Sequence, residues 1–164
     1  MVNVIEVQIT DKMMEWAEKK AKELSLLNKS IMKGKGNLTG FLGEAVVAKH
    51  YQEIYKVKLK NTYDYDLLIN DQKVDVKSKL TKKKPLNYYD CSVAAYNTKQ
   101  QCDYYFFVRI LNDYSVGWIV GYYPKDAYYE NARFLREGSK DGDNGFIVRA
   151  DCYNMMIKDL YHTF

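Results

Sequence analysis

The residues with the clearest chemical potential lie between Tyr65 and Lys77, where Asp66, Asp75 and Lys77 punctuate two short apolar runs. The segments Tyr65–Ile69 and Val74–Lys79 read as a β-hairpin around Asn70–Lys73, because apolar and polar residues alternate on both sides of a polar turn. With a two-residue loop at Asn70-Asp71, Ile69 pairs with Gln72 and Asp66 lies opposite Asp75. With a loop at Asp71-Gln72, Leu68 pairs with Asp75 and Asp66 with Lys77. Side chains alternate faces along a strand, so in either register Asp66, Asp75 and Lys77 share one face, and Leu67, Ile69, Val74 and Val76 take the other. Two facing carboxylates repel unless a cation neutralises them. Oxygen-only ligands suit Mg²⁺ or Mn²⁺. A lysine beside such a cation can orient water or stabilise charge on a phosphoryl centre. A surface hairpin with an Asp–Lys ion pair is the plainer alternative, since such pairs are common.

The elements that must hold these residues follow from periodicity. A strand near Asn3–Ile9 leads into a helix from about Asp11 to Leu26, with Met13, Met14, Ala17, Ala21 and Leu24 as its apolar stripe. Asn28 to Asn37 reads as a basic, glycine-bearing loop with Lys29, Lys33 and Lys35. A second helix, capped by Asn37 or Thr39, runs to about Ile54. Tyr55, Val57 and Leu59 alternate as a strand before the hairpin. A lysine-rich loop to Pro85 precedes a helix over roughly Tyr89–Gln101. Phe106–Leu111 and Val116–Tyr122 pair about a turn at Asn112-Asp113, and Pro124 opens a short helix. Glu137–Gly145 is a loop, Phe146–Ala150 a strand and Met155–Leu160 a terminal helix. Alternating helices and strands around a hairpin give an α/β or α+β class, with a mixed central β-sheet flanked by helices.

The chain of 164 residues fits a single domain. At 47% hydrophobic and 28% charged residues it is neither disordered nor fibrous. The N-terminal apolar stretch carries Glu6, which argues against a leader or anchor, and the expected compartment is the cytoplasm. Cys91, Cys102 and Cys152 form no CxxC pair, so neither a disulfide framework nor a structural zinc is expected. His50 and His162 have no evident partner.

The net charge is +4, but its distribution is uneven. Residues 61–72 carry Asp64, Asp66 and Asp71 with no base; residues 73–84 carry six lysines against Asp75. An acidic knot beside a basic cluster suits a polyanion held near a metal centre. Lys79, Lys82, Lys83 and Lys84, with Lys35 from the earlier loop, are the candidates for phosphate contacts. Tyr88 and Tyr89 could stack or hydrogen-bond nearby. The 16 tyrosines suit strands and half-buried surfaces.

Asp66 followed by Asp75-Val76-Lys77 resembles the motif of the PD-(D/E)xK nuclease superfamily, whose fold is restriction-endonuclease-like. The resemblance covers about residues 38–110, with 111–164 as a C-terminal extension, and it is similar to small phage-encoded nucleases. It implies that Asp66 and Asp75 bind Mg²⁺ or Mn²⁺ and that Lys77 assists the attacking water. A glutamate from a preceding helix often joins the metal ligands; Glu44, in Gly40-Phe41-Leu42-Gly43-Glu44, fits that role, and the small Gly40 and Gly43 permit close approach to sheet or substrate. A polar residue downstream can support such a site, with Lys99, Gln100 and Gln101 as candidates. The residue before Asp66 is Tyr65, where the named motif has proline. The expected activity is a metal-dependent DNA endonuclease. RNA stays open as a substrate and a homodimer as an assembly. The rival readings are a non-catalytic nucleic-acid-binding module of the same fold, and a partner-binding protein whose aromatic C-terminal third forms an interface.

Overall fold

Residues 3–28, 35–140, 145 and 147–164 are described by the structure, a computed structural model. They form a mixed α+β fold built on a curled six-stranded sheet. The chain runs β1 (Ile5–Gln8), α1 (Asp11–Asn28), α2 (Lys35–Tyr51), β2 (Val57–Leu59), β3 (Leu67–Ile69), β4 (Gln72–Thr81), β5 (Asp90–Ala94), a 3-10 turn (Ala95–Lys99), β6 (Tyr104–Leu111), β7 (Val116–Pro124), α3 (Lys125–Asn131), β8 (Arg133–Leu135), β9 (Cys152–Met156) and a second 3-10 turn (Ile157–Asp159). The large sheet has the order β1-β7-β6-β4-β3-β2, and β5-β9-β8 form a separate sheet. Among the described residues only β4 and β6 are parallel; every other strand pair is antiparallel.

The centre of the large sheet is covered on both faces, which explains the near-continuous apolar run of β6. Phe106, Val108 and Ile110 join Leu42, Val46 and Val47 of α2 in one core, while Tyr105 and Phe107 join Trp118, Tyr128 and Met155 in a second core on the opposite face. Helix α2 is packed between α1 and the sheet. That double burial is why Leu42 to Ala48 is buried along its whole length rather than along one stripe. At Gly43 the helix touches β4 so closely that a Cβ would lie 1.7 Å from Ser78 Oγ. Gly40, by contrast, faces open space, so it makes no close approach to the sheet.

Several sequence expectations change. The helix over Tyr89–Gln101 is instead β5 followed by the 3-10 turn, because Cys91 and Val93 alternate into the second core and pair with β9. Helix α2 begins at Lys35 and ends at Tyr51, so Asn37 and Thr39 lie within it. The helix expected over Met155–Leu160 shrinks to the 3-10 turn Ile157–Asp159, because Cys152–Met156 is a strand held between β5 and β8. The strand expected over Phe146–Ala150 reduces to one bridge between Ile147 and Lys140; Phe146 lies outside the described residues. Lys29 and Lys33 also lie outside them. No helix among the described residues is long and apolar enough to cross a membrane.

Candidate active site

The hairpin takes the first of its two registers. Ile69 pairs with Gln72 and Leu67 with Val74, around a two-residue loop at Asn70 and Asp71. Both loop residues have positive φ (48° and 65°), the geometry that two-residue hairpins demand and that Asn and Asp tolerate. Regular pairing stops at Leu67, where β3 leaves β4. One residue further on, the Asp66 carboxylate fills the gap: its Oδ2 accepts the Val76 backbone N–H at 2.8 Å. Asp66 therefore sits at the fork of the hairpin, in reach of both sheet faces.

Asp75, 4% exposed, projects to the face opposite α2. Its Oδ1 accepts from Gln100 Nε2 at 3.2 Å, and its Oδ2 lies 2.8 Å from Lys77 Nζ. That second contact is an ion pair without hydrogen-bond alignment, so Oδ2 remains a buried oxygen with no hydrogen-bond donor among the described residues. Lys77 Nζ also donates to Gln100 Oε1 at 3.3 Å and stands 5.6 Å from the centre of the Tyr105 ring. Gln100, 4% exposed, completes the grip by donating to the Tyr63 carbonyl at 3.0 Å. Its position comes from the chain leaving the 3-10 turn in an extended conformation just before β6, the parallel neighbour of β4. Gln101 donates its backbone N–H to Asp64 Oδ1 at 3.0 Å and takes no part in this cluster; Lys99 ends the 3-10 turn.

Glu44 is 5% exposed because α2 is buried on all sides. It accepts a short hydrogen bond from Asn61 Nδ2. Burial first, and repulsion from Asp66 second, push its pKa up to about 9. Burial, then repulsion from Asp75, pushes Asp66 up to about 8, against the Val76 hydrogen bond and the Lys77 charge, which lower it. Glu44 and Asp66 line a cleft of about 520 Å³ with Gly40, Asn61 and Tyr63. Asn61, which sequence reasoning did not single out, has a φ of 52°. An asparagine just ahead of the acidic knot was the available signal, since Asn tolerates this backbone region.

The other named residues scatter. Lys79, two positions beyond Lys77, donates to Ser92 Oγ at 3.3 Å and belongs to a separate groove. Lys82, Lys83 and Lys84 are exposed past the end of β4. Lys35 opens α2, and its side chain lies outside the described residues.

Among the described residues, no three His, Cys, Asp or Glu side chains converge into a closed metal cage. Mg²⁺ does not require one: it is usually held by one or two carboxylates, with water and substrate phosphate completing its shell. Asp66 and Asp75 fit that requirement, and the undonated Asp75 Oδ2 is an oxygen of the right kind. Asp66 and Asp75 beside a lysine fixed by three neighbours are a donor set of the kind that a hard cation and a water on it would use, and Glu44 shares a cleft with Asp66. No family model matches the chain, and no curated protein matches it.

Proposed function

We propose that the protein is a metal-dependent nuclease of the PD-(D/E)xK type, with a restriction-endonuclease-like core over about residues 38–110, acting on DNA as an endonuclease. The observation that carries this reading is the Asp75–Lys77–Gln100 network, placed against Asp66 at the hairpin fork. An ordinary surface ion pair would be solvated. This pair is sunk into the protein, with a glutamine holding both members at once.

Asp66 and Asp75 would hold Mg²⁺ or Mn²⁺, which polarises a phosphodiester and acidifies a bound water. Lys77 Nζ, restrained by Asp75, Gln100 and the Tyr105 ring, supplies a fixed positive charge for orienting that water and stabilising negative charge on the phosphoryl oxygens. Glu44, tethered by Asn61, supports the site from the α2 side through the cation's water shell or as a further ligand. A homodimer would present two such sites to the two strands of a duplex.

The test is incubation with supercoiled, linear and single-stranded DNA and with RNA, with and without Mg²⁺ or Mn²⁺, for the parent and for Asp75→Asn. Metal-dependent cleavage lost in the variant supports the proposal. Binding to DNA with no cleavage of any substrate by the parent overturns it in favour of a non-catalytic module.

A further inference from the structure

A second cavity lies beside the acidic cluster, between the large sheet and the β5-β9-β8 sheet. It encloses about 620 Å³, within the range of small-ligand sites. One wall is cationic: Lys79 from β4, Arg109 from β6 and Arg149. Among the described residues lining it, the one acidic group, Asp90, is bound to Arg133 at 3.2 Å. Arg109 donates a short hydrogen bond to the Asp90 carbonyl and stacks over Tyr89, with its guanidinium carbon 5.9 Å from the ring centre. Partial desolvation of the Lys79 ammonium, and secondly the Arg109 charge, hold the Lys79 pKa below the usual lysine value, although solvent still reaches the side chain.

The rest of the lining differs in kind. Tyr88 packs at 83° to Tyr89 and is 58% exposed, so much of its side chain is open to a ligand. Ala94, Leu135, Val148 and Ala150 provide an apolar floor. Ser92 and Asn154 add polar groups within the cavity. Cations, an exposed tyrosine and apolar side chains lining one cavity match a phosphate joined to a flat, apolar-faced base.

The cavity also connects to the cluster at Asp75. A smaller pocket of about 160 Å³ is lined by Lys77, Lys79, Ser92 and Arg109. Lys77 and Lys79 are two residues apart on one strand face, about 7 Å.

We infer that this cavity binds a nucleoside monophosphate unit, with the phosphate on Lys79, Arg109 and Arg149 and the base against Tyr88. The inference rests on the nucleic-acid reading above and sharpens it: a base can enter only if it is unpaired, so the substrate carries a single-stranded or extruded nucleotide next to the scissile bond.

Binding is measured in EDTA, which prevents cleavage, using a thymidine strand, an abasic deoxyribose-phosphate strand of equal length and charge, and a fully paired duplex. The parent should prefer the thymidine strand over both others. Tyr88→Ala should weaken the thymidine strand about tenfold and leave the abasic strand unchanged, whereas Tyr88→Phe should bind like the parent. Lys79→Ala should weaken both strands alike. Free thymidine monophosphate tells the sources apart: competition admits the free nucleotide, and its failure to compete assigns the cavity to the strand, either being consistent with the inference. Equal effects of Tyr88→Ala on both strands, or none on either, overturn it. The assay is independent of catalysis. If the parent cleaves but shows no base-dependent binding, this inference alone fails; if it binds with base dependence but cleaves nothing, the nuclease proposal alone fails.

Discussion

Asp66 Oδ2 accepts the backbone N–H of Val76, the group that the Tyr65 carbonyl would have paired had the hairpin register continued. A carboxylate thus replaces a peptide carbonyl at the point where the ladder opens. The side chain has a structural duty through one oxygen and leaves the other for a cation. The two duties can be separated. Asp66→Asn retains an acceptor for Val76 and removes a repelling charge, so it should keep the fold, melt at or above the parent temperature without metal and abolish cleavage. Asp66→Ala should also abolish cleavage, but at a cost of about 1–3 kcal/mol for the orphaned N–H. Thermal melts in EDTA beside Mg²⁺-dependent cleavage assays separate the two variants.

The raised carboxylate pKa values make stability pH-dependent. Glu44 and Asp66 titrate at about 9 and about 8 in the fold, against 4.5 and 3.8 as ordinary values. Between these limits the native state holds more protons than the unfolded chain. The stability this gives is fully present below about pH 4 and drains away as pH rises through 8 to 9. Metal-free protein should therefore melt at a lower temperature at pH 9 than at pH 5. Glu44→Gln should flatten that slope, and added Mg²⁺, which favours the ionised forms, should raise the alkaline melting temperature most. Differential scanning calorimetry across pH reads all three effects.

Gln100 touches Asp75 and Lys77 at once, so its amide bridges the carboxylate and the ammonium of an ion pair already closed to 2.8 Å. Gln100→Ala should lower kcat by about 10–100-fold, the range seen when groups that orient metal-site residues are removed. KM should change little, because the phosphate-binding surface is untouched. Steady-state kinetics on one defined DNA substrate tests the split.

Gly43 is fixed by contact rather than by backbone angle. A Cβ there would sit 1.7 Å from Ser78 Oγ and 2.9 Å from Ser78 Cβ. Gly43→Ala should cost about 1–3 kcal/mol through overpacking. Adding Ser78→Gly removes both clashing atoms and should recover part of the loss, a coupling that a double-mutant cycle in urea measures.

Lys82, Lys83 and Lys84 start five residues beyond Lys77, roughly 17 Å along an extended strand. They should touch flanking phosphates only. Replacing all three by alanine should reduce the log–log salt dependence of duplex binding by about 0.9 for every phosphate that is no longer neutralised, with single-turnover cleavage at saturation unchanged. Fluorescence anisotropy over a salt series, paired with rapid-quench cleavage, checks both halves.

What the sequence disclosed was local in origin. The hairpin followed from alternation, which left two registers open; the structure takes the one whose turn residues, Asn70 and Asp71, carry positive φ, and α1 and β7 followed from unbroken periodicity. The helix expected over Tyr89–Gln101 failed because Ala94 and Ala95 favour helix locally, whereas Cys91 and Val93 are claimed by a distant strand, β9. β8 and β9 were hidden for the same reason: their pairing joins segments far apart in sequence. Gln100 stood among the candidates by its place in the chain, but only the parallel pairing of β4 with β6 brings it onto Lys77. Asn61 was signalled only by its type and its place just ahead of the acidic knot, and its role depends on where α2 lays Glu44.

The interlock of Gly43 with Ser78 divides the site mechanically. Helix α2 and β4 are keyed together, so Glu44, Asp75 and Lys77 move as one block. Asp66 and Asn61 lie instead in an outer flap, the loop between the three-residue strands β2 and β3 at the sheet margin. The Asp66–Val76 contact ties that flap to β4. A cation shared by Asp66 and Asp75 would rivet flap to block. Amide hydrogen exchange should then slow at residues 57–69 when Mg²⁺ is added, while α2 and β6 keep the pace they had without it.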